Sequence, residues 1–236
     1  MLQAALNGGR SKREHEAVPL SSAELQHDAT ACAAEGAHGF HVHPRDDDGV
    51  ERMDAAVIDK ASTALHDATR WPVSVSTAAW IEVDLRARQA AVSRWHGPDS
   101  ATVNVREEGA FELMRTLLGL GIEVEAGLWD VADAEALVRS GLGDRVHRLL
   151  VELIDVAPGE VVDRAAEMHR VLDRADLLPP RLQHGEDATA WIALEDAIRR
   201  GVDTRVGLED VLVLPDGARA ASNAALVRAA AALGAT

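Results

Sequence analysis

Short runs of β-branched or apolar residues alternate with longer stretches of helical period along the whole chain, and that alternation restricts it to a parallel α/β fold. The runs start near Leu2, Gly39, Pro72, Ala101, Ile122, Arg148, Pro180 and Asp203. Eight strands at intervals of about 30 residues or less, each followed by a helix-period segment, match the number that closes a barrel. The sequence predicts an α/β fold, a (β/α)8 TIM barrel. At about 100–200 residues per domain the length would admit two domains, but no Pro/Gly/Ser-rich linker interrupts the chain, and one domain over residues 1–236 is expected.

The intervening segments carry ordinary helix signals. Ser21, Ser22, Ala23 and Glu24 have capping-box spacing ahead of a helix expected to bury Leu25, Ala29 and Cys32. Val57, Ile58, Ala61 and Leu65 share one face of the second helix. Phe111, Met114, Leu117 and Leu118 stripe the fourth, which should stop at Gly119 or Gly121; Trp191, Leu194 and Ile198 stripe the seventh, closed by Gly201. These stripes are read as packing.

Inside the strands every second residue faces the same way. Leu2, Ala4 and Leu6 alternate with Gln3 and Asn7, Phe40 and Val42 with His41 and His43, and Val73 and Val75 with Ser74 and Ser76. Val103 and Val105 stand against Asn104 and Arg106, Ile122 and Val124 against Glu123 and Glu125, Val206 and Leu208 against Arg205 and Glu209. The apolar set should meet the helices, which leaves a polar throat. An inert barrel fills that space with branched apolar side chains, because unpaired buried polar groups cost roughly 1–3 kcal/mol each. The polar residues also gather towards strand C-termini, where barrel enzymes place their sites; the alternative is a hydrogen-bond network satisfied within itself.

Composition narrows the chemistry. Lys and Arg total 24 against 39 Asp and Glu, a formal charge of −15, and no basic stretch exceeds Lys12-Arg13, which argues against nucleic-acid and anionic-membrane partners. No apolar run approaches a bilayer span and the N-terminus lacks signal-peptide order, so a cytoplasmic protein is expected. Cys32 is the only cysteine, which excludes disulfide scaffolds, thiolate zinc sites and iron–sulfur clusters. Any metal must therefore use His and carboxylates.

Two segments supply such ligands. In Gly39-Phe-His-Val-His-Pro-Arg-Asp-Asp-Asp-Gly49, His41 and His43 are two apart on a strand and project from one face roughly 7 Å apart along the backbone, a spacing that lets both rings converge on one ion. Hydrogen-bonded strand histidines are the alternative. Pro44 and the acidic turn after it set the pair at the barrel rim; Asp47 and Asp48 read as solvated, while Arg45 and Asp46 pair with each other or support the site. In Arg205-Val-Gly-Leu-Glu-Asp-Val-Leu-Val-Leu-Pro-Asp-Gly217, Arg205, Gly207 and Glu209 are expected on the inner face of the last strand, with Asp210 opening the loop. Strand eight neighbours strand one, and strand one neighbours strand two, so Glu209 can reach the histidines. Two His and one carboxylate leave open positions, as at a catalytic zinc; the alternative is an Arg205–Glu209 ion pair.

Together with Ala221-Ser-Asn-Ala-Ala-Leu-Val227, and from Asn7-Gly8 through Gly121-Ile-Glu-Val-Glu-Ala-Gly-Leu-Trp-Asp130 to the C-terminus, these motifs resemble the β-keto acid cleavage enzymes, typified by the 3-keto-5-aminohexanoate cleavage enzyme. The resemblance implies a zinc-dependent barrel, homo-oligomeric, that condenses a β-keto acid with acetyl-CoA and cleaves the adduct to acetoacetate and a new acyl-CoA. Carried over, His41, His43 and Glu209 match the Zn²⁺ ligands, Asp210 the catalytic base that removes a proton α to the thioester carbonyl, and Arg205 its partner. Zinc acts there as a Lewis acid on the keto oxygen.

The chain also departs from the family pattern. Arg10 stands nearest the position of an early glutamate suited to a substrate amine, which predicts a second carboxylate or another anionic group on the substrate. Glu125 keeps one glutamate of the family's pair, whereas Gly127 stands at the second. Ser74, Ser76, Thr77 and Asn104 are further candidates for binding a substrate carboxylate, with hydrogen bonding inside the barrel as the alternative. His184, ending the seventh strand, lies where barrels bind phosphate and is read equally as structural. His15, His27, His38, His66, His96, His147 and His169 have no paired ligand and are read as surface or packing residues. Two other functional readings remain: a CoA-independent metal-dependent retro-aldol lyase or hydrolase, and a barrel that binds a small acid without catalysis.

Overall fold

A computed structural model describes residues 1–236. The strands β1 (Leu2–Ala5), β2 (Phe40–Val42), β3 (Val73–Ser76), β4 (Ser100–Asn104), β5 (Glu123–Leu128), β6 (Arg148–Leu153), β7 (Arg181–Gly185) and β8 (Asp203–Val206) pair in sequence order, all parallel, and β8 closes on β1. The helices α1 (Ser22–Ala34), α2 (Ala55–Ala68), α3 (Leu85–Val92), α4 (Ala110–Leu120), α5 (Val131–Ser140), α6 (Val161–Arg174), α7 (Ala190–Arg200) and α8 (Asn223–Leu233) follow them one by one. This is the (β/α)8 barrel expected, with every strand start within a residue of its predicted place. No helix is long and apolar enough to cross a membrane.

Local chemistry sets the helix ends. Ser21 caps α1 with the full capping box to Glu24, and α1 buries Leu25, Ala29 and Cys32. α4 runs past Gly119 and stops at Gly121, whose left-handed φ of 78° favours glycine; Gly201 ends α7 in the same way. α4 buries Leu113 beside Met114 and Leu117, whereas Phe111 and Leu118 are only partly covered, so the packing stripe lies one residue round from the sequence reading. α7 likewise buries Ala193, Leu194 and Ala197, and leaves Trp191 and Ile198 at the margin.

The main core lies between strands and helices and takes the apolar strand set, including Leu2, Ala4, Phe40, Val42, Val73 and Val75. Most of the polar set lines the lumen, but Arg106 and Glu123 are exposed, paired with Asp130 and Asp133 and with His147. In the lower part Arg148 donates to Glu125 (3.0 Å), which also accepts from the Ser74 hydroxyl (2.5 Å), while Arg148 Nε and Gln3 Oε1 are buried without partners. Above that layer the lumen opens into a cavity.

The closing turn after β8 is pinned from outside the barrel. Asn223, opening α8, accepts from the Leu208 N–H (2.6 Å) and donates to the Leu6 carbonyl (2.8 Å) and to Asp28 on α1 (2.6 Å). Burial raises the Asp28 carboxyl to about 6, against the lowering effect of the Asn223 bond and of His27. A carboxyl raised on folding costs nothing below its unfolded value near 4 and its full penalty above its folded value. Stability from this group therefore falls as pH rises between about 4 and about 6. Asp28→Asn keeps an acceptor for Asn223 and is expected to stabilise the protein by about 2 kcal/mol at pH 7, a gain that disappears near pH 4 in urea titrations at both pH values.

Candidate metal centre

At the C-terminal mouth of the barrel, β2 and the loops after β1, β2 and β8 bring together the predicted ligands. His41 Nε2 stands 3.6 Å and His43 Nε2 3.8 Å from the same Glu209 oxygen, and one ligand atom from each of the three residues falls within 4.8 Å of the others. The two rings lie 5.3 Å apart at 78° to each other. Glu209 is not on the last strand as expected. β8 ends at Val206, and Glu209 sits in a tight turn whose backbone N–H groups at Asp210 and Val211 return to the Gly207 carbonyl. Gly207 permits this because a Cβ there would lie 1.8 Å from the Ala5 carbonyl oxygen. Gly8, at φ 50°, makes room on the other side: its Cβ would meet Glu209 Cγ at 2.4 Å.

Hydrogen bonds fix both imidazoles in the tautomer that a metal requires. His43 Nδ1 faces Glu51 Oε2 at 3.0 Å, an acceptor-only carboxylate, so Nδ1 carries the proton and Nε2 the lone pair. His41 Nδ1 faces Ser74 Oγ at 3.4 Å, and that hydroxyl has given its own proton to Glu125, so it accepts from His41. Both Nε2 lone pairs are thereby turned towards Glu209. Burial, with help from Arg205 and His43, drives His41 down to about 3, so its ring is neutral at physiological pH.

Glu209 is held ionised. Burial by itself would raise its carboxyl, but Arg205 first, and then His41 and His43, outweigh burial and bring it to about 2. Arg205 Nη2 donates to Glu209 Oε1 and to Asp210 Oδ1, 2.8 Å each, while Glu209 Oε2 is buried with no partner. An ionised carboxylate with one oxygen unpartnered, whose other oxygen faces two imidazole lone pairs, fits a divalent metal. In a tetrahedral zinc site with bonds of about 2 Å the donors lie roughly 3.3 Å apart, and the two His–Glu209 separations of 3.6 and 3.8 Å are within about half an ångström of that.

The cavity above these residues has a volume of about 320 Å³. Its wall includes Arg10, Ser76, Asn104 and Arg205 from the sequence reading, and also Trp80, Trp129, Glu152 and Glu186, which that reading missed. Thr77 is not part of this wall: its hydroxyl donates to the Thr102 carbonyl at 2.6 Å and serves the sheet. Asp210 is fully buried and also stands off the wall, with burial raising it to about 8 against Arg205. Arg10 lines the mouth and also steadies the turn that carries Glu209. Nε reaches the Glu209 carbonyl (3.0 Å), Nη2 reaches Asp187 (2.6 Å), and Nη1 faces Glu14 (3.5 Å). Arg45 pairs with the Gly8 and Arg10 carbonyls and approaches Glu51, whereas Asp46 pairs with Arg52, so the two do not bond each other.

Glu152 had a legible signal, since Arg148 and Glu152 alternate with Leu149, Val151 and Leu153. Glu51 had none, because its role depends on how the loop after β2 folds back. Trp80 stacks on His43 with ring centroids 6.1 Å apart and donates to Glu51 at 3.3 Å, which covers the ligand from solvent.

Fold and mouth define the class: a (β/α)8 barrel with a carboxylate-and-histidine centre at its C-terminal face. Within that class the chain belongs to the β-keto acid cleavage enzyme family, whose sequence model matches residues 1–236. A search of curated proteins returned no significant match. Among solved structures, the barrel resembles that of ObcA bound to oxaloacetate, with TM-score 0.70 and 14% identity over 93% of this chain. A ternary complex of ObcA with a C4-CoA adduct and oxalate gives the same TM-score and identity over 89%. The match spans 64% and 62% of those ObcA chains. A Pyrococcus furiosus thiamine phosphate pyrophosphorylase matches over 99% of this chain and 96% of its own, with TM-score 0.54 and 10% identity. At such identities the likeness is one of fold.

The tautomer argument has a direct consequence. Ser74→Ala, which removes the acceptor of His41 Nδ1, and Glu51→Gln, which weakens that of His43, are each expected to lower zinc affinity 10- to 100-fold, an order typical of residues that orient ligands. Competition with a fluorescent chelator measures it, and unchanged affinity in both variants overturns the assignment.

Proposed function

We propose that this protein is a zinc-dependent β-keto acid cleavage enzyme that condenses a β-keto acid with acetyl-CoA and splits the adduct into acetoacetate and a new acyl-CoA. The observation that carries this is the convergence of two oriented imidazole lone pairs and one ionised carboxylate in a member of that family. His41, His43 and Glu209 would hold the metal, which supplies a Lewis acid for the keto oxygen.

The protein's own groups divide the remaining work. Arg205 holds Glu209 and Asp210 through Nη2 alone, which leaves Nη1 to donate to the carboxylate of the keto acid. Ser76 and Asn104 add donors on the opposite wall. Asp210, beside Arg205 and raised towards neutral pH, takes the proton released when the carbon nucleophile forms. Trp80 and Trp129 limit water at the mouth. The C4-CoA adduct seen with ObcA supports the use of a CoA thioester.

Zinc-loaded protein incubated with acetyl-CoA and a panel of β-keto acids should yield acetoacetate and a new acyl-CoA by mass spectrometry. His41→Ala or a strong chelator should lower turnover at least 100-fold, and Asp210→Asn should do so with zinc retained. Consumption of keto acid without a new thioester selects a CoA-independent lyase or hydrolase. No consumption of any member removes the reading.

A further inference from the structure

Gly127, on β5, faces the lumen between β4 and β6, across the closed barrel from the ligand set on β2 and after β8. A Cβ there would stand 2.5 Å from Asn104 Oδ1 and 2.7 Å from Glu152 Oε1, too near for carbon. Both of those side chains line the cavity, so the missing side chain leaves a notch in its wall with an acceptor oxygen on either flank. Hydrogen-bonded oxygen atoms stand about 2.7–3.0 Å apart, so an atom about 0.3 Å further into the cavity would reach both. The two oxygens are held in place and left unused. Glu107 accepts from Asn104 Nδ2 (3.0 Å), from the Ala79 N–H (3.1 Å) and from Arg88 (2.7 Å). A carboxylate offers acceptors only, so the amide nitrogen is turned to Glu107 and Oδ1 to Gly127. Glu152 is 6% exposed, yet its carboxyl makes no hydrogen bond, since His184 Nε2 is too far at 3.9 Å.

We propose that Asn104 and Glu152 form a subsite for a hydroxyl group on the keto acid's chain beyond the keto carbon, with Glu152 the specificity-determining residue. For the class of acid this rests on the cleavage reading above. With the substrate carboxylate at Arg205 on β8, the far end of the chain extends across the mouth towards β4, β5 and β6. The hydroxyl donates to Asn104 Oδ1 and accepts from the Glu152 carboxyl. Burial raises that carboxyl to about 8 against Arg205, with Glu186, Glu209 and Asp210 adding to the rise, so at neutral pH it holds a proton to give. A hydroxyl is donor and acceptor at once, which matches an amide oxygen on one flank and an acid O–H on the other. An ammonium group offers donors only and requires Glu152 to lose its proton, and a methylene leaves both buried oxygens unpaired, the situation that polar sites reject most strongly. The surrounding wall suits a polar chain, because only Ala78, Trp80, Trp129 and Ile154 among its residues are apolar.

Binding can be read apart from turnover by withholding acetyl-CoA. Calorimetric titration of the zinc-loaded protein compares 3-oxohexanoate with its 4-, 5- and 6-hydroxy derivatives and with 5-amino-3-oxohexanoate. At least one hydroxy acid is expected to bind about 10- to 100-fold more tightly than the parent and than the amino derivative. Glu152→Leu and Gly127→Ala should each lose that preference with zinc content unchanged, whereas Glu152→Gln, whose amide still donates to a hydroxyl, should keep most of it. Equal binding of the parent and every hydroxy acid, or a preference that survives both Glu152→Leu and Gly127→Ala, overturns the subsite. Tightest binding of the amino derivative overturns the assignment to a hydroxyl. With acetyl-CoA added, the same preference should appear in kcat/KM. A binding preference with no turnover of any acid removes the cleavage reading and leaves the subsite standing, and turnover without a preference does the reverse.

Discussion

One buried guanidinium holds the mouth of this barrel together. Arg205 Nη2 lies 2.8 Å from both Glu209 and Asp210, two neighbours in sequence that would otherwise repel each other out of solvent. The cation does not treat them alike. Glu209, which also faces two imidazoles, is drawn down to about 2, whereas Asp210 stays near 8 because burial outweighs its share of the same charge. Adjacent carboxylates thereby acquire different proton affinities, which is what separates metal binding from proton handling. Asp210 and Glu209 in turn raise Arg205 despite its burial, so it stays charged.

The rest of the site follows from how that turn is supported. Asn223 ties it to β1 and α1, Arg10 grips its carbonyl, and Gly8 and Gly207 leave the space it needs. On the facing side, Glu51 and the Ser74–Glu125 pair turn two imidazoles to meet it. The supporting groups are buried and mostly bonded, and Glu209 Oε2, Asp210 Oδ2 and both nitrogens of His184 are buried without partners at or behind the mouth, as are others elsewhere such as Ser62 Oγ and Arg88 Nε. Buried polar atoms without partners are costly, and Glu209 Oε2 is the one a bound cation would satisfy.

The barrel was legible because alternation of period two and helical periodicity are local properties, and eight repeats of the unit admit one closure. His41 and His43 were legible for the same reason: residues two apart on a strand share a face whatever the surroundings. Their pairing with Glu209 followed from the circular strand order. Less legible was the exit from β8, where the strand stops three residues early because Gly207 lets the chain pass against Ala5. Thr77 looked like a ligand-binding group in the sequence, but its hydroxyl donates to the Thr102 carbonyl and it stands off the cavity wall, while Arg10 also bonds Asp187 and the Glu209 carbonyl, neighbours distant along the chain.

By itself the sequence determined the repeat, the polar lining, the exclusion of thiolate chemistry and the set of residues able to grip a metal. Each of these depends on residue type and spacing alone. Only the tertiary structure decided which nitrogen of each histidine carries a proton and which carboxylate of the Glu209–Asp210 pair gives up its proton more readily. Those properties are set by burial and by partners from 4 to 51 positions away, and the distance in space between such residues is fixed only once the barrel and its loops have folded.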